Sequence, residues 1–154
     1  MELSQIFKHE GFVRKYICKK YSLRPEEFNA MLFMHAQRNI TVLEFSQFAK
    51  ATKWRPALMF ILKDKGLIHV TKKKRYFNKI VYSATKHLDK IVVEFFELLT
   101  MAKSFSLREA TNPLLQEQRE YRLHYNSLYM QRFNQQREQL RAPGSRKAPA
   151  RQDE

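Results

Sequence analysis

Two short runs of β-branched and aromatic residues, LIHV at 67–70 and IVY at 80–82, lie close together in the chain. Both runs have the residue types of strands. They flank a charged connection, from about Thr71 to Asn78, that contains four consecutive cations. The chain has only three glycines and five prolines, which is too few for the many turns of an all-β fold. We therefore expect a mainly α fold with a small β-hairpin.

Helical periodicity and helix-start residues occupy most of the remaining chain. Pro25 suits a first helical turn, Thr41 with Glu44 forms a capping box, and Thr52 and Thr85 are N-cap candidates. Lysines followed by Gly66 predict a helix end. The predicted helices span about 4–20, 25–37, 41–51, 52–65, 85–102 and 107–140, the last beginning at Leu107 or Pro113.

The charge of the chain points to a polyanionic partner. The formal net charge is +14, and the sequence pI is near 10.0. Between Lys50 and Lys90 the sequence contains twelve cations and two acids, which gives a net charge of +10. Clustered cations suit phosphate binding, so nucleic acid is the first candidate and an anionic membrane surface the second. A soluble protein that is merely basic is the remaining alternative.

Several classes of protein lack support in the sequence. Cys18 is the only cysteine, so no intrachain disulfide forms and a reducing compartment is expected. No apolar run approaches the roughly 18 residues of a membrane span, and the N-terminus does not resemble a signal peptide. The histidines show no HExxH spacing, and the glycines form no phosphate loop. We expect a cytoplasmic, nucleoid-associated protein that is not an enzyme, enters no membrane and needs no metal or cofactor.

Two short helices followed directly by a β-ribbon predict a winged helix-turn-helix. Four segments carry a closer resemblance, and they read LRPEEF at 23–28, TVLEFSQFAKAT at 41–52, LKDKGLI at 62–68 and YSATKHLDKI at 82–91. In this order and spacing the chain resembles the MarR-type winged-helix transcriptional regulators over roughly residues 20 to 95. The resemblance implies a homodimer that binds double-stranded DNA and flanking helices that form the dimer. A small-molecule effector, of unknown identity here, is also typical of the family.

The expected organisation has four regions. Residues 1–21 form an N-terminal dimerisation helix, 22–84 the DNA-binding domain, 85–140 a C-terminal helical dimerisation region and 141–154 a disordered tail. A recognition helix at about 52–65 would enter the major groove, and a basic wing at about 71–79 would touch backbone or minor groove. The alternative function is a structural or adaptor winged-helix protein that mediates protein assembly or nonspecific DNA association.

The predicted DNA-binding residues lie at the third-helix start, the recognition-helix start and the wing. They are Thr41, Thr52, Lys53, Trp54, Arg55, Lys72, Lys73, Lys74, Arg75, Tyr76 and Lys79. Two of these positions have open alternatives. Trp54 is either a core anchor or an exposed stacking residue, and Arg55 contacts either a phosphate or a guanine edge. The wing cations could also be a solvated turn that protects a sheet edge.

An aromatic stripe along the last helix predicts an interface. The predicted dimerisation residues come from the first and last helices, and they are Ile6, Phe7, Phe12, Tyr121, Tyr125, Leu128 and Phe133. A dimer seam is the preferred interpretation because one small domain cannot easily cover so much apolar surface. Packing within the chain and docking onto another protein are the alternatives.

Overall fold

A computed structural model describes residues 3–55, 57–71 and 80–142. The described chain is mainly helical with one small antiparallel sheet, so the predicted fold class is confirmed at this level. The elements are α1 (Leu3–Lys20), α2 (Pro25–Gln37), β1 (Asn39–Thr41), α3 (Val42–Thr52), α4 (Leu58–Asp64), β2 (Ile68–Thr71), β3 (Val81–Ala84), α5 (Lys86–Leu99), a 3₁₀ turn (Glu109–Thr111) and α6 (Glu120–Arg141).

The predicted capping box at the start of α3 is confirmed. The Thr41 amide donates to Glu44 Oε2 at 2.8 Å, and the Glu44 amide donates to Thr41 Oγ1 at 3.2 Å. At α5 the predicted N-cap is also present, because Thr85 Oγ1 accepts from the Leu88 amide at 3.2 Å. The same hydroxyl donates to the Gly66 carbonyl at 2.8 Å. This threonine therefore joins the start of α5 to the turn that follows α4.

Gly66 ends α4 as its position predicted. Its φ of 68° is in the left-handed region that glycine adopts without a steric penalty. The Gly66 amide donates to the Lys63 carbonyl at 2.9 Å, and the Leu67 amide donates to the Leu62 carbonyl at 2.9 Å. These bonds close the last turn of the helix and turn the chain directly into β2.

The sheet has three strands where two were predicted. Its order is β1-β3-β2, and both outer strands run antiparallel to β3. Tyr82 pairs with Ile40 on one side and with Val70 on the other. Strand β1 is only three residues long, so it has no alternating pattern long enough to be recognised in the sequence. Its hydrogen-bond partner lies about forty residues further along the chain, outside any local sequence window.

The start of the fourth helix was predicted wrongly. Thr52 is the last residue of α3, not an N-cap, and α4 begins only at Leu58. Lys53 adopts a left-handed φ of 58° and stops α3. Arg55 precedes Pro56 in the sequence, and a residue before proline disfavours the α conformation. The predicted recognition helix at 52–65 is therefore shorter than expected.

The last helical region also begins later than predicted. Apart from the short 3₁₀ turn, residues 101–119 are irregular, and α6 begins at Glu120. Buried asparagines replace helical hydrogen bonds in this connection. Asn112 Nδ2 donates to the Ser106 carbonyl at 2.6 Å, and Asn126 Nδ2 donates to the Leu114 carbonyl at 3.1 Å. Of the predicted tail, Arg141 belongs to α6, while residues 143–154 lie outside the described residues.

A continuous hydrophobic core joins the N-terminal helix, the predicted DNA-binding domain and the C-terminal helices. It includes Val13 and Ile17 from α1, Phe28 from α2, Ile91 from α5 and Phe133 from α6. The α3 and α4 helices contribute as well, so the helices flanking the sheet share their core with it. Within the described ranges, no helix has both the length and the apolar character needed to cross a membrane.

Candidate nucleic-acid interface

The short helix α4 has one buried face and one exposed face. The buried side chains are Leu58, Met59 and Leu62. The exposed residues on and just before the helix are Ala57, Phe60, Lys63 and Asp64. At about 100° of rotation per residue, Phe60 lies at the centre of the exposed arc, and 64% of its surface is exposed.

Trp54 lies in the connection between α3 and α4 and packs inward. Its ring contacts Phe48 on α3 at a centroid distance of 5.1 Å and Phe33 on α2 at 6.0 Å. Phe33 and Phe48 themselves stack at 3.9 Å. The half-buried indole therefore anchors the connection to α2 and α3, which agrees with the core-anchor alternative.

Other predicted DNA-binding residues also have structural partners. The Arg55 guanidinium forms an ion pair with Glu26 of α2, which ties the connection to the neighbouring helix. Thr52 Oγ1 donates to the Phe48 carbonyl at 2.8 Å, and Thr41 caps α3. None of these contacts removes the side chains from solvent entirely, because Arg55 and Thr52 are exposed.

Most described cations of the basic segment point into solvent. Exposed lysines that make no ion pair with a described residue are Lys50, Lys53, Lys63, Lys86 and Lys90. Lys65 differs, because its Nζ lies 2.5 Å from Glu27 Oε2 and 2.6 Å from the Ser22 carbonyl. Burial opposes the charge on Glu27, yet hydrogen bonds from Lys65 and the Arg24 amide hold its pKa below the usual value. Lys65 therefore joins α4 to α2.

The strand pair holds the two ends of the predicted wing together. Thr71, the last residue of β2, pairs with Val81, the first residue of β3. Thr71 Oγ1 also donates to the Val81 carbonyl at 3.1 Å. The wing residues between them, Lys72, Lys73, Lys74, Arg75, Tyr76 and Lys79, lie outside the described residues.

The predicted dimerisation residues divide into an inward and an outward group. Phe12 stacks on Tyr129 at 3.9 Å, and Phe133 is buried in the core, 4.8 Å from the Phe105 ring. Ile6 is half-buried. The outward group consists of Phe7, Tyr121, Tyr125 and Leu128, whose exposed fractions are 76%, 66%, 64% and 38%. One stripe in the sequence therefore serves both intramolecular packing and an exposed surface.

Sequence reasoning placed Phe60 within the fourth helix without assigning it to a face, and so missed its exposure. Residues 57–62 are all apolar, so periodicity could not show which of them faces solvent.

In the part of the chain that the structure describes, no three His, Cys, Asp or Glu side chains are grouped so that they could hold a metal ion.

Comparison with protein-family models, with curated proteins and with solved structures finds no match to this chain.

Proposed function

We propose that this chain is a winged helix-turn-helix protein of MarR type that binds double-stranded DNA as a dimeric transcriptional regulator. In this proposal α4 enters the major groove as the recognition helix. The basic segment between β2 and β3 is the wing and lies on the phosphate backbone or in the minor groove. The protein acts in the cytoplasm at the nucleoid and performs no catalysis.

The order of elements supports the winged-helix assignment. Helix α2 is followed by β1, α3 and α4, and then directly by the pair β2 and β3. Strand β3 lies between β1 and β2. Helix α4 packs on α2 and leaves its other face in solvent, immediately before the strand pair.

The observation that carries the DNA-binding proposal is the concentration of positive charge in the stretch of sequence that contains α4 and the strand pair. Between Lys50 and Lys90, cations outnumber acids twelve to two. Five of the described lysines in this stretch are exposed without an ion pair to a described residue. Exposed cations of this kind release counterions from DNA and so bind it in a salt-dependent way.

The dimer is proposed to form through the outward-facing residues of α1 and α6. Phe7, Tyr121, Tyr125 and Leu128 are large side chains with substantial exposure. Grooves lie on both sides of Tyr121, one of about 770 Å³ and one of about 750 Å³. Side chains from a second copy of the chain can insert into these grooves. Two recognition helices would then meet half-sites about 34–36 Å apart.

One observation favours the adaptor function as the second candidate. The centre of the α4 solvent face is an aromatic side chain, Phe60, and Asp64 lies beside it. Exposed apolar residues also occur at the start of α3, namely Val42 and Leu43. Apolar surface of this kind is a common feature of protein interfaces.

Binding to labelled duplexes at several salt concentrations tests the proposal and separates the candidates. A regulator should recover a preferred, pseudo-palindromic sequence from a random duplex pool and bind it at least about 10³-fold more tightly than bulk DNA. An architectural protein should bind all duplexes alike. Absence of salt-dependent binding to any duplex would reject DNA binding altogether.

A further inference from the structure

Phe60 is the large apolar side chain that α4 exposes to solvent. It lies at the centre of the exposed arc, with Lys63 on one side and Asp64 on the other. Lys53 and Arg55 were predicted to contact DNA at the start of the recognition helix, but both precede α4, and Arg55 is bound to Glu26. The helix therefore presents an aromatic ring, and not an arginine, at its centre.

The exposed ring of Phe60 is not covered by another aromatic ring among the described residues. The ring of the neighbouring aromatic residue, Trp54, packs on α2 and α3, while Phe60 has no ring partner among the described residues. Removing the apolar surface of a phenylalanine from water is favourable in proportion to the area that is covered. A partner that covers Phe60 gains this free energy on binding.

We infer that Phe60 reads thymine in the major groove by packing on its 5-methyl group. This inference rests on the proposed function, in which α4 enters that groove. In the major groove a thymine methyl is the apolar feature of the base edges, and phenylalanine is one of the side chains that contact it. The class of ligand is thus an A·T-containing duplex site.

Charge complementarity favours DNA over a protein as the occupant of this face. The chain supplies two exposed lysines that make no ion pair with a described residue, Lys53 just before the helix and Lys63 within it. A duplex offers phosphates to these cations and a methyl group to the ring at the same time. Asp64 is compatible with this arrangement, because a carboxylate can accept a hydrogen bond from a cytosine amino group.

Uracil substitution in the DNA tests the inference without altering the protein. A random duplex pool is enriched with the full-length protein, and the recovered duplex is resynthesised with uracil replacing single thymines. Only the 5-methyl group is removed. At the contacted thymine we expect affinity to fall about fourfold, the ratio that corresponds to about 0.8 kcal/mol for one buried methyl group.

Phe60→Ala completes a double-mutant cycle, in which the other change is the uracil substitution in the DNA. The variant should bind the thymine duplex more weakly than wild type and show no further weakening with uracil. Phe96→Ala removes a comparably exposed ring from α5 and should keep the full uracil effect. Far-UV circular dichroism confirms that the variants are folded.

Four outcomes overturn the inference. Uracil could leave wild-type affinity unchanged, or Phe60→Ala could keep the uracil effect, and in both cases DNA binding itself would stand. Phe60→Ala could also leave affinity for every duplex unchanged, which would show that the ring does not contribute to DNA binding. Absence of salt-dependent binding in the wild type would reject the proposed function as well, so the two failures are distinguishable.

Discussion

Glu94 joins three parts of the chain through one buried carboxylate. Its oxygens accept from Lys20 Nζ at 2.7 Å, from Tyr21 Oη at 2.5 Å and from Lys103 Nζ at 2.8 Å. Lys20 ends α1 and Lys103 lies beyond α5. Burial opposes the negative charge, but these donors lower the pKa of Glu94 from 4.5 to about 2.

Replacing this carboxylate should destabilise the fold. Glu94→Gln keeps the shape of the side chain and leaves the donors poorly matched, so we expect a decrease of about 1–3 kcal/mol in the free energy of unfolding. Glu97→Gln, at an exposed position on the same helix, is the control and should change stability little. Urea unfolding at neutral pH measures both variants.

The same carboxylate predicts a dependence on acid. Because its pKa in the folded protein lies below the usual 4.5, its contribution is complete above about pH 4.5. It is lost as the pH falls toward 2. The stability difference between wild type and Glu94→Gln should therefore shrink over this range. A difference that stays constant would show that the charge of Glu94 contributes nothing.

His9 provides a second titrating residue, in the contact between α1 and α6. Its Nδ1 lies 2.5 Å from Tyr129 Oη, its ring meets Phe133 edge-on at 5.1 Å, and its buried Nε2 has no hydrogen-bond partner among the described residues. Burial, and then the charge of Lys8, lower the pKa of His9 below 6.5. Burial also raises the pKa of Tyr129 to about 12, so the phenol stays neutral.

The contribution of His9 to stability should fall as the pH drops below about 6.5, because this histidine binds the proton more readily in the unfolded chain than in the folded one. His9→Phe keeps a ring in the contact and removes the proton site. The urea midpoint of His9→Phe should decrease less than that of wild type when the pH is lowered from about 7.5 to about 5.5. His124→Gln, at an exposed position of α6, should retain the wild-type change. Equal changes in wild type and His9→Phe would contradict this assignment.

At the level of elements, the strand pair and its connection carry the electrostatic part of the proposed DNA contact. Thr71 and Val81 are paired, so the basic connection begins and ends at the same point of the sheet. Replacing Lys72, Lys73, Lys74 and Arg75 together by Ala should weaken bulk and preferred DNA equally. The slope of log affinity against log salt should flatten by about 0.9 for each phosphate that the variant no longer neutralises.

A control with an equal change of charge separates this local effect from net charge. Lys8, Arg108, Arg119 and Arg132 are exposed cations of α1, α6 and the connection before α6. Replacing these four by Ala removes the same charge from another part of the chain. If both variants flatten the slope equally, the wing has no special contact with DNA.

At the level of the whole molecule, α6 belongs to the core and also presents the proposed dimer surface. Met130 and Phe133 are buried in the core, so removing the helix would destroy the fold. Exposed positions are the appropriate test. Tyr121→Ser, Tyr125→Ser and Leu128→Ser together should weaken the dimer by at least about 3 kcal/mol, or about 150-fold.

Light scattering across a concentration series measures the assembly. Phe60→Ser, which also removes an exposed apolar side chain, should leave the mass unchanged. A monomeric wild type at about tens of micromolar would reject the dimer, because a regulator with two half-sites needs a tighter association. A triple variant that remains a dimer would show that the interface does not lie on α6.

The starts of α3 and α5, the end of α4, the basic segment and the strand pair could be predicted from the sequence because each depends on neighbouring residues. Thr41 with Glu44, Thr85 with Leu88, and Gly66 form contacts within a few positions. Local hydrogen bonds and the φ preference of glycine act in almost any tertiary context. The mainly helical fold with a small sheet follows from such signals.

The exposed centre of α4, the third strand and the division of the α6 stripe were decided only by tertiary structure. The run of apolar residues around Phe60 has no polar side that marks solvent, and its orientation depends on the packing of α4 against α2. Strand β1 exists because β3 offers it a partner. Phe133 is buried and Tyr125 is exposed because α1 covers only one side of α6. Burial is a property of what else is nearby in space, and that information is not contained in a local stretch of chain.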